Sequence, residues 1–490
     1  MQIKKGILAL LIIFSFAIGG FGTYAVISGL TNDLTEGGVE QGNQQLTEEE
    51  YEELLAGLSE QVDMPKIAQA FSLIQENYIN EVTDTELIEG AVRGMLETLN
   101  DPYSEYMDQE TMAQFNEQLE SSFEGIGAEV SMIDGRVTIV APIKDSPAEK
   151  AGLRPNDQVL AVDDETLDGL DLLEAVAKIR GEKGSEVTLE IQRPGVNNTL
   201  DFILTRDTIP LETVYAETAE HNGQLAGIIK LTSFSEQTAN RFIEELDQLE
   251  EEGIDGLVID VRGNPGGLLP VIEDILKHFV TSDQPYMQIA DGNDNKERYF
   301  SNLDQPKPYP VTVLIDEGSA SASEILAISL QETIGAEIVG QNSFGKGTVQ
   351  STLNMGDGSS IKLTILKWLS PEGNSIHEVG VAPTIEVAQP DYYYTAPIQL
   401  EETLVVDNSD DNIAFAQTML KGLGYEIDRE DGYFNEVTEQ AVARFQIDQD
   451  LPETGELDQN TADLLQLQIV ERIRANEDDL QEQAAIEALF

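Results

Sequence analysis

"VTVLIDEGSASASEILAISLQE", Val311 to Glu332, decides the fold. Val311–Asp316 is a short apolar run of the kind that forms a buried strand, and "EILAISLQE" has helical spacing. Small residues fill the turn between them, with Ser319, Ser321 and Ser323 at alternate positions. Ser321-Ala-Ser-Glu324 has the form of a capping box, with Ser321 at the N-cap and Glu324 three residues on. Capping accounts for one serine. The same position lies among free backbone N–H groups that can hold an oxyanion, so a nucleophile is the second reading.

A serine nucleophile needs a base. The chain has three histidines, His221, His278 and His377, and none stands in a sequence resembling a catalytic loop. The stronger candidate is Lys346 in "NSFGKGTVQ", where Gly345 and Gly347 permit close backbone approach. A buried lysine loses basicity and can then accept a proton. A solvated hairpin lysine is the alternative. "DVRGNPGG", Asp260–Gly267, is a strand entering a glycine turn, which could present N–H groups to a ligand.

Outward from this centre the pattern alternates strand and helix from about Leu225, which predicts a layered αβ sheet. Before it, from about Phe123 to Thr208, short strands and one amphipathic helix, "DLLEAVAKIRG", predict a compact α+β module. Ahead of that, Ile67, Phe71, Ile74 and Tyr78 have helical spacing and open a three-helix region. A separate, helix-rich segment follows at about Asp411–Leu465. With 490 residues, several domains are expected.

The net charge of −63 excludes nucleic acid as a natural partner. The absence of cysteine excludes disulfides, thiolate metal sites and a cysteine nucleophile. Two lysines precede an apolar stretch from Ile7 to about Leu30, long enough to span a bilayer. Lys4 and Lys5 would stay inside and place the body outside. A cleaved signal peptide is the rival reading and sends the body to the same side.

"DVRGNPGG", "GSASASEI", "GQNSFGKGTVQ" and "SPEGNSIHEVGVAP" follow one another as in the carboxyl-terminal processing peptidases, the tail-specific serine–lysine proteases. The resemblance runs from about Ile67 to Val387. It implies a serine endopeptidase with Ser321 as nucleophile, Lys346 as general base 25 positions later and Gln350 orienting the lysine. The oxyanion hole would use the amide of Ala322 and that of Gly266 or Gly267. No metal or other cofactor is implied. The α+β module resembles a PDZ domain, with Gly125, Ile126 and Gly127 as its carboxylate-binding loop. A substrate C-terminus would add as a strand at the sheet edge. Arg180, ending the groove helix, becomes a candidate gating contact toward Lys346; a helix-end cation favoured by the dipole is its plainer reading. The terminal segment resembles a peptidoglycan-binding module.

The chain is therefore read as α/β and α+β multidomain. Residues 1–30 form a membrane anchor or signal segment, 31–63 an acidic linker and 64–118 a helical region. A PDZ domain at 119–208 is inserted before the protease core, which comprises 209–395 together with 64–118. A linker at 396–410, a small wall-binding domain at 411–468 and an acidic tail at 469–490 complete it. The expected partners are protein C-termini, peptidoglycan and the membrane, and a homodimer through the N-terminal helices is compatible with the resemblance. Two departures from the family pattern occur: Pro383-Thr384 stands where Pro-Asp is common, and "DPYS" (Asp101–Ser104) where relatives often have "DPHS". The rival functional readings are an inactive scaffold on a dead protease fold and an acyl transferase using the same pair.

Overall fold

Strands that are apolar throughout must be covered on both faces, and that condition builds the centre of the molecule. The computed structural model describes residues 64–490 apart from 121, 134, 164, 195, 197 and 477. Gly256–Asp260 and Val311–Ile315 are buried at every position. They occupy the middle of a six-stranded sheet ordered Val214–His221, Gln224–Leu231, Gly256–Asp260, Val311–Ile315, Glu337–Gly340, Ile385–Glu386. The first pair is antiparallel and the later pairings are parallel. Successive side chains take opposite faces. Ile229, Leu257, Ile259, Val313 and Ile338 pack with residues of the helices Thr238–Glu252, Leu269–Leu276 and Ala322–Ile334. Ile228, Val258, Leu314 and Val339 face the other way. A second, five-stranded sheet contains Thr348–Asn354 paired with Ser360–Leu369. The loop carrying Lys346 thus runs from one sheet to the other, as the serine turn runs from strand to helix.

The expected N-terminal helices form at Met64–Asn77, Asp84–Glu97 and Gln109–Leu119. Thr83 and Glu86 make a complete capping box for the second. Their apolar stripe does not close on itself: Ile67, Ile74, Tyr78, Ile88 and Met95 are exposed. No helix among the described residues is long and apolar enough to cross a membrane. The anchor and acidic linker expected over 1–63 lie outside the described residues.

The α+β module has its own sheet, Ala128–Ile133, Arg136–Pro142, Gln158–Val162, Glu186–Gln192 and Leu200–Thr205 in that order. Its core, which includes Ile139, Val159, Leu189 and Ile191, draws only on residues of the module. The chain enters and leaves it through a two-stranded ribbon, Ser122–Gly125 on Asp207–Pro210.

The C-terminal region differs from its sequence reading at both ends. The segment expected as a linker over 396–410 is packed: Ile398 and Leu404 are buried with Leu420, Phe434 and Phe445, and Leu404 bridges Leu457. The boundary expected at 468 falls inside the helix Gln459–Arg474. The residues expected as an acidic tail contain a further helix, Leu480–Glu487. Ala485, Ile486 and Leu489 cover Ile228, Val258, Leu314 and Val339 on the open face of the protease sheet. A sheet buried on both faces needs this cover, and no local pattern in the tail announces it.

Candidate active site

The fold separates the three serines. Ser319 is fully buried; its hydroxyl donates to Val261 O (2.8 Å) and accepts from the Asp316 N–H (3.0 Å). Ser323 is fully buried and donates to Asn264 O at 2.8 Å. Both fasten the turn to the neighbouring glycine loop. Ser321 is partly exposed and has φ 55° and ψ −111°. A non-glycine residue in that region is strained, and such strain persists only where the surroundings enforce it. It resembles the strained strand-to-helix turn that presents a nucleophile.

Glu324 supplies part of the enforcement. As the capping reading requires, its Oε2 accepts from the Ser321 N–H at 2.8 Å. The fold adds three donors that the tetrapeptide does not predict. The Lys346 N–H reaches Oε2 at 2.8 Å, and the Gly345 N–H and Ser343 hydroxyl reach Oε1 at 2.7 and 2.6 Å. One fully buried carboxylate therefore ties the backbone of the serine turn to that of the lysine loop. Charge-assisted bonds of this kind are about twice as strong as neutral ones.

Lys346 is held on its other side by Trp368, whose indole N–H donates to its carbonyl at 2.9 Å. Gly347 is required by close approach, since a Cβ there would stand 2.8 Å from His377 Cβ. The Lys346 ammonium lies 5.1 Å from the centre of the Tyr103 ring, in the turn Asp101–Ser104. Burial pushes its pKa below the usual lysine range and the Lys362 charge adds to this, against Glu324, Asp101 and Glu105. Among the described residues no hydrogen bond joins Lys346 Nζ to Ser321. None joins it to Gln350, whose amide donates instead to Thr348 and Thr364 at 2.9 and 3.0 Å.

The glycine loop distinguishes the two amides left open by the sequence. Gly266 N–H donates to Asn264 Oδ1 at 2.8 Å and is engaged. Gly267 N–H and Ala322 N–H have no acceptor among the described residues. Gly266 has a steric duty: with φ 103°, a Cβ there would lie 2.9 Å from Ser321 Cβ and 3.0 Å from Ala322 N. The histidines stay apart from the serine. His221 stacks 6.4 Å from Phe490, His278 follows the helix Leu269–Leu276, and His377 Nδ1 accepts weakly from the Gly347 N–H at 3.4 Å.

In the PDZ-like module Ile126 and Gly127 have N–H groups without acceptors among the described residues, while their carbonyls accept from Ala148 and from Ile143 and Ser146. Arg180 directs its guanidinium over the Phe123 ring of this loop, 4.8 Å from the centroid, and its stem lies 3.7 Å from a Cβ built on Gly125. The last carbonyls of the same helix are bonded by Arg206, which donates to Ile179 O and Lys178 O at 2.8 and 3.1 Å. Arg206 follows the strand Leu200–Thr205, remote in sequence from the helix, so sequence spacing does not reveal this.

A strained serine at a helix N-terminus, unengaged amides beside it and a depressed lysine across a shared carboxylate are the parts of a serine peptidase. Comparison with known proteins agrees. Residues 226–387 match peptidase family S41, 138–193 a PDZ domain and 409–465 a putative peptidoglycan-binding domain. Residues 16–111 match the N-terminal domain of the activating protease CtpB. The chain is 49% identical over 487 residues to the carboxy-terminal processing protease CtpB of Bacillus subtilis, covering 99% of each. It is 40% identical over 424 residues to CtpA of the same organism, covering 86% of this chain and 90% of that one. The photosystem II D1 C-terminal processing protease aligns over 66% of this chain and 92% of its own, with 26% identity and a TM-score of 0.40. The chain belongs to the carboxy-terminal processing serine proteases of family S41.

Proposed function

We propose that Ser321 and Lys346 are the nucleophile and general base of an extracytoplasmic endopeptidase that selects proteins by their C-termini. The observation carrying this is the Glu324 carboxylate that binds the Ser321 and Lys346 backbones together. In the reaction Lys346 Nζ leaves the Tyr103 ring and takes the Ser321 proton as Oγ attacks the scissile carbonyl. The Gly267 and Ala322 amides receive the oxyanion. Lys346 returns the proton to the leaving amine, and water, activated by the same lysine, releases the acyl group. Gln350 orients Lys346 through its Oε1, which accepts an N–H of the lysine. Arg180 is the gating contact, its guanidinium turning from the Phe123 ring toward acceptors near Lys346 when a tail is bound. Ser321→Ala and Lys346→Ala should each lower peptide cleavage by about 10³-fold or more, with melting temperature nearly unchanged. Retention of most activity by Lys346→Ala would return the base to a histidine.

The free Ile126 and Gly127 amides support capture of a substrate carboxylate in the PDZ loop. The match at 409–465 supports retention on peptidoglycan, which a wall-sedimentation assay tests. The apolar stretch at 7–30 supports single-pass anchoring, tested by membrane fractionation of the full chain. The exposed stripe Ile67, Ile74, Tyr78 and Ile88 supports pairing with a second copy, for which a monomeric mass at micromolar concentration would be decisive against it.

A further inference from the structure

The glycine loop is fastened on two sides. Toward the nucleophile turn, Gly263 N–H donates to Asp316 Oδ1 at 2.8 Å, and Asn264 O accepts from the Ala320 N–H at 3.0 Å. On the other side stands Arg262, with its side chain 12% exposed. Its Nε and Nη2 form a fork on Asp260 at 2.9 and 2.8 Å. Its Nη1 donates to Asp479 Oδ1 at 2.8 Å and to Gln481 Oε1 at 3.1 Å. Asp479 is 217 residues downstream and is the N-cap of the C-terminal helix. Its Oδ1 also accepts from Gln389 and from the Glu482 N–H.

We propose that Asp479 is a positioning residue for catalysis: through Arg262 it fixes the glycine loop, and so the Gly267 amide, relative to Ser321. This rests on the dyad reading above. Asp260 alone leaves the outer edge of the guanidinium unheld; Asp479 and Gln481 close that edge from an element anchored by its own apolar face. An oxyanion donor works only at the position where charge develops, and a displacement of about 1 Å can lower the rate about 10²-fold. The C-terminal region thereby completes the active site it does not touch.

The test uses the full chain and a fluorophosphonate, which needs neither PDZ binding nor a leaving amine. Ser321 Oγ forms a bond to phosphorus, fluoride departs and the serine proton passes to the base. Asp479→Ser keeps a capping oxygen but is too short and uncharged to hold Arg262; Asp479→Asn keeps size and cap while removing charge. Ile486→Ala weakens docking of the same helix without touching Arg262. Labelling should slow about tenfold to hundredfold in Asp479→Ser and less in Asp479→Asn. Ile486→Ala should label at the wild-type rate well below its melting temperature, and peptide assays should show Asp479→Ser losing kcat at unchanged KM. Wild-type labelling rates in both Asp479 variants, or equal slowing in Ile486→Ala, would overturn the brace alone. Failure of the wild type to label Ser321 would overturn the dyad and the brace with it.

Discussion

The PDZ-like module joins the protease body through two four-residue strands and keeps its core to itself. The C-terminal region joins the same body by covering four sheet residues with Ala485, Ile486 and Leu489 and by a buried ion pair at Arg262. Sequence alone ranks these two attachments the other way, with an inserted PDZ domain inside the enzyme and a wall-binding module beyond a linker. Insertion in the chain is not integration in the fold. What counts is whether the interface is a core or a ribbon.

Deletion breaks or sharpens this contrast most strongly. Removing residues 411–490 exposes Ile228, Val258, Leu314 and Val339, each of which contributes about 1.5–3 kcal/mol on full burial. The truncated body should lose its cooperative melting transition or drop by more than about 10 °C, and activity should go with it. Replacing residues 128–205 by a short linker should leave the body's transition close to its original temperature in calorimetry. Similar melting of both deletions would erase the distinction.

A smaller effect lies in pH. Burial pushes the Glu482 carboxyl up to about 7, with Asp479, Glu217 and Asp260 adding to it and Arg262 opposing. Its proton is held in the folded state after the unfolded chain has released it. Stability from this group is therefore full below the ordinary carboxylate range, falls as pH rises toward 7 and levels above. Glu273, pushed up to about 7 by burial first, adds a slope of the same sign. Glu482→Gln should flatten part of the body's melting-temperature slope between about pH 5 and 7 and leave a separate PDZ transition unmoved. An unchanged slope would remove Glu482 from the interface account.

The smallest expected change in stability concerns Arg180. Arg180→Ala removes the cation–π contact with Phe123, a contact worth about 0.5–1 kcal/mol at an exposed site, while Arg206 still caps the helix. Turnover of a tail-bearing protein should fall several-fold while fluorophosphonate labelling of Ser321 stays constant. Equal turnover of wild type and variant would remove Arg180 from the gating account.

The central sheet and the serine turn were legible because each carries its own local signature, an apolar run or a cap motif. Ser321 and Lys346 were legible as separate motifs 25 residues apart, and Glu324 as a cap. Its bonds to Gly345, Lys346 and Ser343 were not, because they depend on how two sheets meet. The helix Leu480–Glu487 was missed for a related reason. Ala485 and Ile486 sit among glutamates and glutamines, and their partners lie more than a hundred residues upstream. Ile398 and Leu404 are isolated apolar residues with no period to mark them. The Gln350 amide is bonded to two threonines, a choice of rotamer that sequence does not specify.

Lys346 is clamped at its own N–H by Glu324 and at its carbonyl by Trp368, while among the described residues its ammonium rests on the Tyr103 ring face and makes no hydrogen bond. The proposed swing from Tyr103 to Ser321 therefore involves stem torsions alone. Such rotamer changes take picoseconds to nanoseconds, far faster than domain hinging at microseconds to milliseconds. Formation of the serine–lysine pair is then a rapid pre-equilibrium within every turnover. Relaxation-dispersion signals, if gating runs through the PDZ ribbon as proposed, should appear there while the main chain of the lysine loop stays silent.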